Sequence, residues 1–374
     1  MTLPQKMLEE PVATSVPEQV PAGAVVPVSA AVSELSDASI AGNTRRAYES
    51  DLRAFVSWCA ANGRPHLPAS PETVAEYLAD RAGILTTAGK WRYAPASMAR
   101  WLSAINAAHA EQNLPLPGHS ALVARTLQGI RRERLRPPRR ADPLLLTDVQ
   151  AVLDRIDVTT WPAGATGVRD RMVILLGWAG AFRRTELIDL RISDVTRHKE
   201  DGLHLRIRRS KTDQTGKGLV KAIPYGREPL TCAACAWVRW LRILAAGATG
   251  RSAVMRVLCT DDPAVHVCRT SIPTLEGEAP LLRRMHKTGL PTVNALSAQS
   301  VNLIVKRRVT AVGLDPEQYS AHSLRAGFVT EALRHGASTH AVMRQTGHRS
   351  PATVEIYARE RDPLTGNAVN DLGL

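Results

Sequence analysis

Two adjacent prolines, Pro137 and Pro138, sit within an arginine-rich run, RLRPPRRADP (134–143). Proline fixes φ at about −65° and has no amide donor, so no helix runs through the pair. The chain is therefore expected to fold as two bodies joined by an extended basic segment, here placed at 136–144, that can lie along phosphates. A length of 374 residues suits this, since domains run to roughly 100–200 residues each.

Ahead of the linker, residues 1–38 are rich in Ala, Val, Pro, Ser and Glu, with prolines at 4, 11, 17, 21 and 27, and read as a disordered tail. From Asn43 onward, NTRRAYESDLRAFVSWCAANG places Ala47, Tyr48, Leu52, Phe55, Val56 and Cys59 along one helical face. Helical patterns recur at 71–82, 95–112 and 119–135, so 39–135 reads as an all-helical domain. Beyond the linker, RDRMVILLGWAGAFRRTELIDL reads as two helices turning near Gly180. LHLRIRRS and GLVKAIPY, separated by KTDQTGK, read as a hairpin or small antiparallel sheet. Most of the chain after 229 is again expected to be helical, with a looser stretch at 247–292. The fold class is thus mainly α with a small antiparallel β-sheet.

Charge narrows the function. Lys and Arg total 48 against 35 Asp and Glu, a formal charge of +13 that favours a polyanionic partner, with nucleic acid leading and a solvated basic surface as the plain alternative. Five cysteines, odd in number and unevenly spaced, make no disulfide framework and point to a reducing cytoplasm. No apolar run reaches the ~20 residues of a membrane span, and MTLPQKMLEE is acidic where a signal peptide is basic, so a soluble protein is expected.

Aromatic residues are scarce, yet Tyr357 follows His348 by nine positions in GHRSPATVEIYAR. A phenol with pKa about 10 attacks phosphate poorly near neutrality, so it needs cations on the phosphoryl oxygens and an acid for the leaving oxygen. The sequence offers both kinds of partner. His322 and Arg325, three apart in SAHSLRAGFVT, share a helix face; Arg183 follows an apolar run in AGAFRRTELIDL; Lys211 sits in the hairpin turn. Singly, each is more often an ordinary packing or solvated residue.

Together they resemble the tyrosine recombinases of the phage-integrase family. The family's first box, G-[LM]-R-x-[ST]-E-L, is met by Ala181-Phe182-Arg183-Arg184-Thr185-Glu186-Leu187 with Ala in the glycine place. H-x-L-R is met by His322 to Arg325, and L-G-H-x4-T-x2-Y by Gly347, His348, Thr353 and Tyr357, with Thr346 for the usual Leu. That last departure is expected to affect packing more than chemistry. The N-terminal patterning near 44–58 and the ending TGNAVNDL resemble Cre-type simple recombinases.

The resemblance implies a two-domain C-shaped DNA clamp: a SAM-like core-binding domain at 39–135, a catalytic domain at 145–360, and a tail at 361–374 that docks on a neighbouring protomer. It implies that Arg183, Arg325, His322 and His348 hold the scissile phosphate, that Lys211 protonates the leaving 5′-oxygen, that Glu186 fixes Arg183, and that Tyr357 forms a 3′-phosphotyrosyl bond. The implied partners are double-stranded recombination sites. Four protomers assemble on two sites and exchange strands through a Holliday junction, while the free protein is a monomer or weak dimer. A type IB topoisomerase and a non-catalytic DNA-binding protein of the same fold remain the alternatives.

DNA contacts are expected from Arg45, Arg46, Arg100, Arg139 and Arg140, and from Gln299 on a helix capped by Ser297. No cofactor is expected: transesterification needs no ATP, and no G-x4-G-K-[ST] loop is present. Cys232-x2-Cys235 with His266 and Cys268 has the ingredients of a zinc site, but CAACAWVRWLRIL reads as an amphipathic helix and the second pair is only H-x-C, so no metal is expected either.

Overall fold

The computed structural model describes residues 29–31, 34, 42–134, 140–208, 218–355, 369 and 372. Two compact units divide between Pro138 and Arg139.

The first unit is helical: α1 (Gly42–Ala61), α2 (Pro71–Gly83), α3 (Pro95–Glu111) and α4 (Ala121–Glu133), with a short 3-10 turn at Pro117–His119. Pro71 and Pro95 start their helices where the missing amide costs nothing, and the Ser70 and Ser120 hydroxyls accept the amides of Thr73 and Val123 as caps. The core is aromatic. Tyr77 meets Phe55 and Trp58 edge-on at centroid distances of 5.1 and 5.3 Å. The α1 face that is buried is Asp51, Phe55, Trp58 and Cys59, so the period is as expected but the stripe is rotated. Asp51 is buried because Arg100 on α3 grips it with two bonds, Nε to Oδ2 at 2.7 Å and Nη2 to Oδ1 at 2.9 Å.

The second unit is built around α6 (Ala163–Ala179), preceded by α5 (Leu146–Asp154). α6 is buried on nearly every side from Gly164 to Gly177, and its one buried carboxylate, Asp170, accepts bonds from Arg169, Arg307 and Arg308. After α6 the chain turns at Gly180–Arg183 into the short α7 (Arg184–Ile188), and Ala181 takes φ +47° there, in the left-handed region where glycine is at ease. A three-stranded antiparallel sheet follows: β1 (Val195–His198), β2 (Gly202–Ile207) and β3 (Leu219–Pro224), in register Val195 opposite Leu205 and Ile207 opposite Leu219.

The stretch expected to be loose is partly ordered. α8 (Ala233–Thr249) and α9 (Arg251–Thr260) meet at Gly250, φ +118°, and β4 (Arg283–Met285) pairs antiparallel with β5 (Pro291–Ala295). The local pattern hides this: β4 and β5 are short and largely exposed, so they carry no apolar alternation. α10 (Ala298–Thr310), capped by Ser297 as expected, precedes α11 (Ala321–Arg334) and α12 (Thr339–Thr346). Residues 351–355 are helical again, and Val354 packs with Val329 of α11 and Val342 of α12.

Candidate active site

Arg183 heads α7. Glu186, one turn on and 4% exposed, accepts the Arg183 amide at 3.1 Å through Oε2 and its guanidinium at 2.6 Å through Oε1. A carboxylate that closes the helix start and pins the guanidinium leaves the Arg183 side chain few rotamers.

Arg325 comes from α11 and is 1% exposed; its Nη1 donates to the Ala181 carbonyl at 2.7 Å. The left-handed turn at Ala181 thus aims a carbonyl at Arg325. His322, one turn earlier on the same helix, is open to solvent, yet crowding and then the charges of Arg325, Arg183 and Arg140 hold its imidazole below the ordinary histidine range.

His348 follows Gly347, which caps α12 at φ +69° and donates its amide to Met343 at 2.8 Å. Burial, then Arg325 and Arg183, then His322 and Lys221, push the His348 pKa down to about 3, so the ring is neutral near pH 7. Its Nδ1 lies 3.0 Å from the Thr346 hydroxyl, which itself donates to the Val342 carbonyl at 2.8 Å. With the hydroxyl proton so engaged, Nδ1–H is the donor and Nε2 the acceptor. Thr346 is buried and also holds the His348 ring. Gln345 ties the same turn to the Ala179 and Ala222 carbonyls at 2.9 and 3.1 Å.

The residue missed from sequence is Lys221. It is 1% exposed on β3, donates to the Gly180 and Ala181 carbonyls at 2.7 and 3.2 Å, and stands 3.7 Å from Glu186. Burial lowers its pKa to about 7 against the pull of Glu186, with Arg325 and Arg183 adding to the fall. A signal was there: Lys221 is in phase with Ile223 on the inward face of LVKAIP, where a lysine needs internal acceptors. Lys211 and Tyr357 lie outside the described residues.

Of the expected DNA contacts, Arg46 bonds locally to Asn43 Oδ1 at 2.7 Å, and Arg45 is half-buried beside it. Arg100 is engaged by Asp51 inside the first unit, which makes it a brace and removes it from the set of open cations. Arg140 and Gln299 are exposed, and Arg139 lies outside the described residues. Two groups of side chains have metal-ligand character. His198, Asp201 and His204 cluster on the sheet, but the His198 ring nitrogen already accepts the Glu200 and Asp201 amides, so this is a turn device. Cys232, Cys235, His266 and Cys268 also converge, although the first pair lies at the start of a helix and the second is only H-x-C.

The protein is thus a helical unit followed by an α+β unit in which arginines and histidines from α7, α11 and the α12 end come together. Residues 33–111 match the phage integrase N-terminal SAM-like domain, and residues 276–363 match the phage integrase family. The chain is 31% identical over 335 residues to the integrase/recombinase xerD homolog of Selenomonas ruminantium, covering 89% of this chain and 86% of that one. It is 24% identical over 330 residues to the recombinase Cre of Escherichia phage P1, covering 85% and 84%. The fold resembles that of the Tn1549 transposon integrase solved with transposon right end DNA, with a TM-score of 0.53, 15% identity and coverage of 92% and 98%. The chain belongs to the phage integrase family of tyrosine recombinases. No described helix is long and apolar enough to cross a membrane.

Proposed function

We propose that this protein is a site-specific recombinase that cuts and rejoins duplex DNA through Tyr357. The observation that carries this reading is the convergence of Arg183, Arg325, His322 and His348 from three separate segments. Two guanidiniums and two imidazoles brought to one patch are donors and acceptors suited to the oxygens of a phosphodiester and to charge that grows on them. Val354, three positions before Tyr357 in the chain, packs against α11 and α12, the helices that bear His322 and lead to His348.

In the proposed reaction the Tyr357 oxygen attacks phosphorus, the bond from phosphorus to the 5′-oxygen breaks, and that oxygen takes a proton from Lys211. His322 assists removal of the phenolic proton. Arg183 and Arg325 hold the non-bridging oxygens, where charge grows in the transition state. A 3′-phosphotyrosyl bond and a free 5′-hydroxyl result, and reversal onto a partner strand reseals the DNA without added energy. The two units clamp the duplex, with Arg45, Arg46, Arg139, Arg140 and Gln299 touching it. Four protomers join two sites through a Holliday junction, the tail 361–374 docks on a neighbour, and the reaction takes place in the cytoplasm.

The test is a denaturing gel of the protein incubated with DNA trapped from a suicide-substrate library carrying nicks. A covalent adduct with the wild-type chain and none with Tyr357→Phe is expected; an undiminished adduct in the variant overturns the reading. A two-site plasmid assay then separates recombination from relaxation alone, the outcome expected of a topoisomerase.

A further inference from the structure

We propose that Cys232, Cys235, His266 and Cys268 form a structural zinc site that clamps the long loop after α9 to the start of α8. The four ligand atoms lie within 4.8 Å of one another. His266 Nδ1 is 3.3 Å from the Cys235 sulfur and 3.7 Å from the Cys268 sulfur. In a tetrahedral zinc site with bonds of ~2.0–2.3 Å, neighbouring ligand atoms stand about 3.5–3.8 Å apart. These separations bracket that edge.

The surroundings are those of a ligand set. His266 Nε2 lies 3.0 Å from the Arg227 carbonyl, so its proton sits there and the Nδ1 lone pair faces the three sulfurs. The Gly226 amide donates to the Cys232 sulfur and the Val267 amide to the Cys235 sulfur, each at 3.3 Å, as suits thiolates carrying negative charge. Gly226 is needed for that approach, because a Cβ there would come within 2.7 Å of the Cys232 Cα. Cys232 caps α8 and Cys235 lies in its first turn, where the helix end favours anionic sulfur. All three cysteines are buried and unbridged.

Three thiolates and an imidazole fill a tetrahedron and leave no open position, which makes the ion structural. The need for it is visible in the chain. Residues 261–282 run without helix or strand through the second unit, longer than a compact domain tolerates without a tie. Arg239 already holds this loop through the Asp262 and Val265 carbonyls at 2.6 and 2.7 Å, and the Cys268 carbonyl accepts Arg197 of β1 at 3.0 Å. A metal at the four ligands would join β1, the start of α8 and the loop into one piece, and so steady the sheet from which Lys221 projects.

The experiment is metal analysis of the full-length protein, purified without a polyhistidine tag under reducing conditions, before and after incubation with zinc sulfate and exhaustive dialysis. About one zinc per chain is expected, falling below about a tenth in Cys235→Ser and Cys268→Ser, while Cys259→Ser, which changes an exposed thiol outside the cluster, keeps it. Cobalt titration of the wild-type chain reads the site without relying on folded variants: intense tetrahedral visible bands with thiolate charge transfer are expected, lost on adding excess zinc. Failure of the wild-type chain to retain zinc, weak octahedral cobalt bands, or equal loss in Cys259→Ser each overturns the proposal.

Discussion

Lys221 and Arg325 share one acceptor: the Ala181 carbonyl takes a bond from the lysine at 3.2 Å and from the guanidinium at 2.7 Å. Lys221 arrives on β3 and Arg325 on α11, so one peptide oxygen registers the sheet against the helix that carries half of the site. Lys221 thereby directs donors at two protein oxygens, the Gly180 and Ala181 carbonyls.

The two lysines should separate in a leaving-group experiment. Lys211→Ala is expected to slow cleavage of ordinary DNA by roughly 10²–10⁴-fold, the usual size of general-acid catalysis, and to regain speed on a 5′-bridging phosphorothiolate, whose sulfur leaves without a proton. Lys221→Met should lower the apparent Tm and slow both substrates alike. Rescue of Lys221→Met by the thiolate would transfer the acid role to it.

The pH dependence of stability follows from the same residue. The unfolded lysine titrates near 10.5 and the buried one near 7, so between those values unfolding takes up a proton and stability climbs as pH rises. The slope is at most about 1.4 kcal/mol per pH unit. His348 acts on the acid side: from its ordinary 6.5 down to about 3 the unfolded ring binds the proton that the folded ring refuses, so stability drops as pH falls. Denaturant titrations of wild type and Lys221→Met across pH 7–10 should differ by a flattened alkaline limb in the variant.

Arg100 is expected to act on stability and not on DNA affinity. Removing it strands the buried Asp51 carboxylate, and because the arginine side chain is 51% exposed the cost is set at about 1–3 kcal/mol, below that of a fully buried pair. Arg100→Met should lower the Tm of the first unit and leave the salt dependence of DNA binding unchanged, whereas loss of a phosphate contact would reduce the salt slope by about 1. The paired change with Asp51→Asn should recover part of the stability.

Thr346→Val removes the oxygen that faces His348 Nδ1 while keeping the shape of the side chain. The ring then loses its fixed tautomer, and nitrogen chemical shifts of His348 should move toward a mixture. Cleavage should fall with little change in DNA affinity, since the orientation of the Nε2 lone pair affects the transition state more than ground-state binding. Unchanged shifts would show that the hydroxyl does not set the tautomer.

Much of this fold is legible locally. Helices α2, α3 and α4 begin and end within a few residues of their apolar periodicity, because serine caps, initial prolines and 3.6-residue spacing act over single turns. The β2–β3 hairpin is equally plain from alternation. The rotated stripe of α1 is not, since Asp51 looks like a surface residue until Arg100, 49 positions away, is brought to it. β4 and β5 are invisible for the opposite reason: their exposed side chains leave no pattern to read.

Sequence alone determined the kinds and order of the candidate groups: Arg183 with Glu186, His322 with Arg325, and His348 ahead of Tyr357. Arg183 and Glu186, and likewise His322 and Arg325, are three positions apart, a spacing set by a helix cap or a helix turn. Only the tertiary structure decided that Lys221 is internal, which oxygen sets the His348 tautomer together with the burial that depresses its pKa, and that Cys235 and His266, 31 positions apart, meet. Arg325 reaches Ala181 across 144 positions. Contacts of that kind depend on how whole elements pack, and a side chain shows no trace of a partner that the fold delivers from elsewhere.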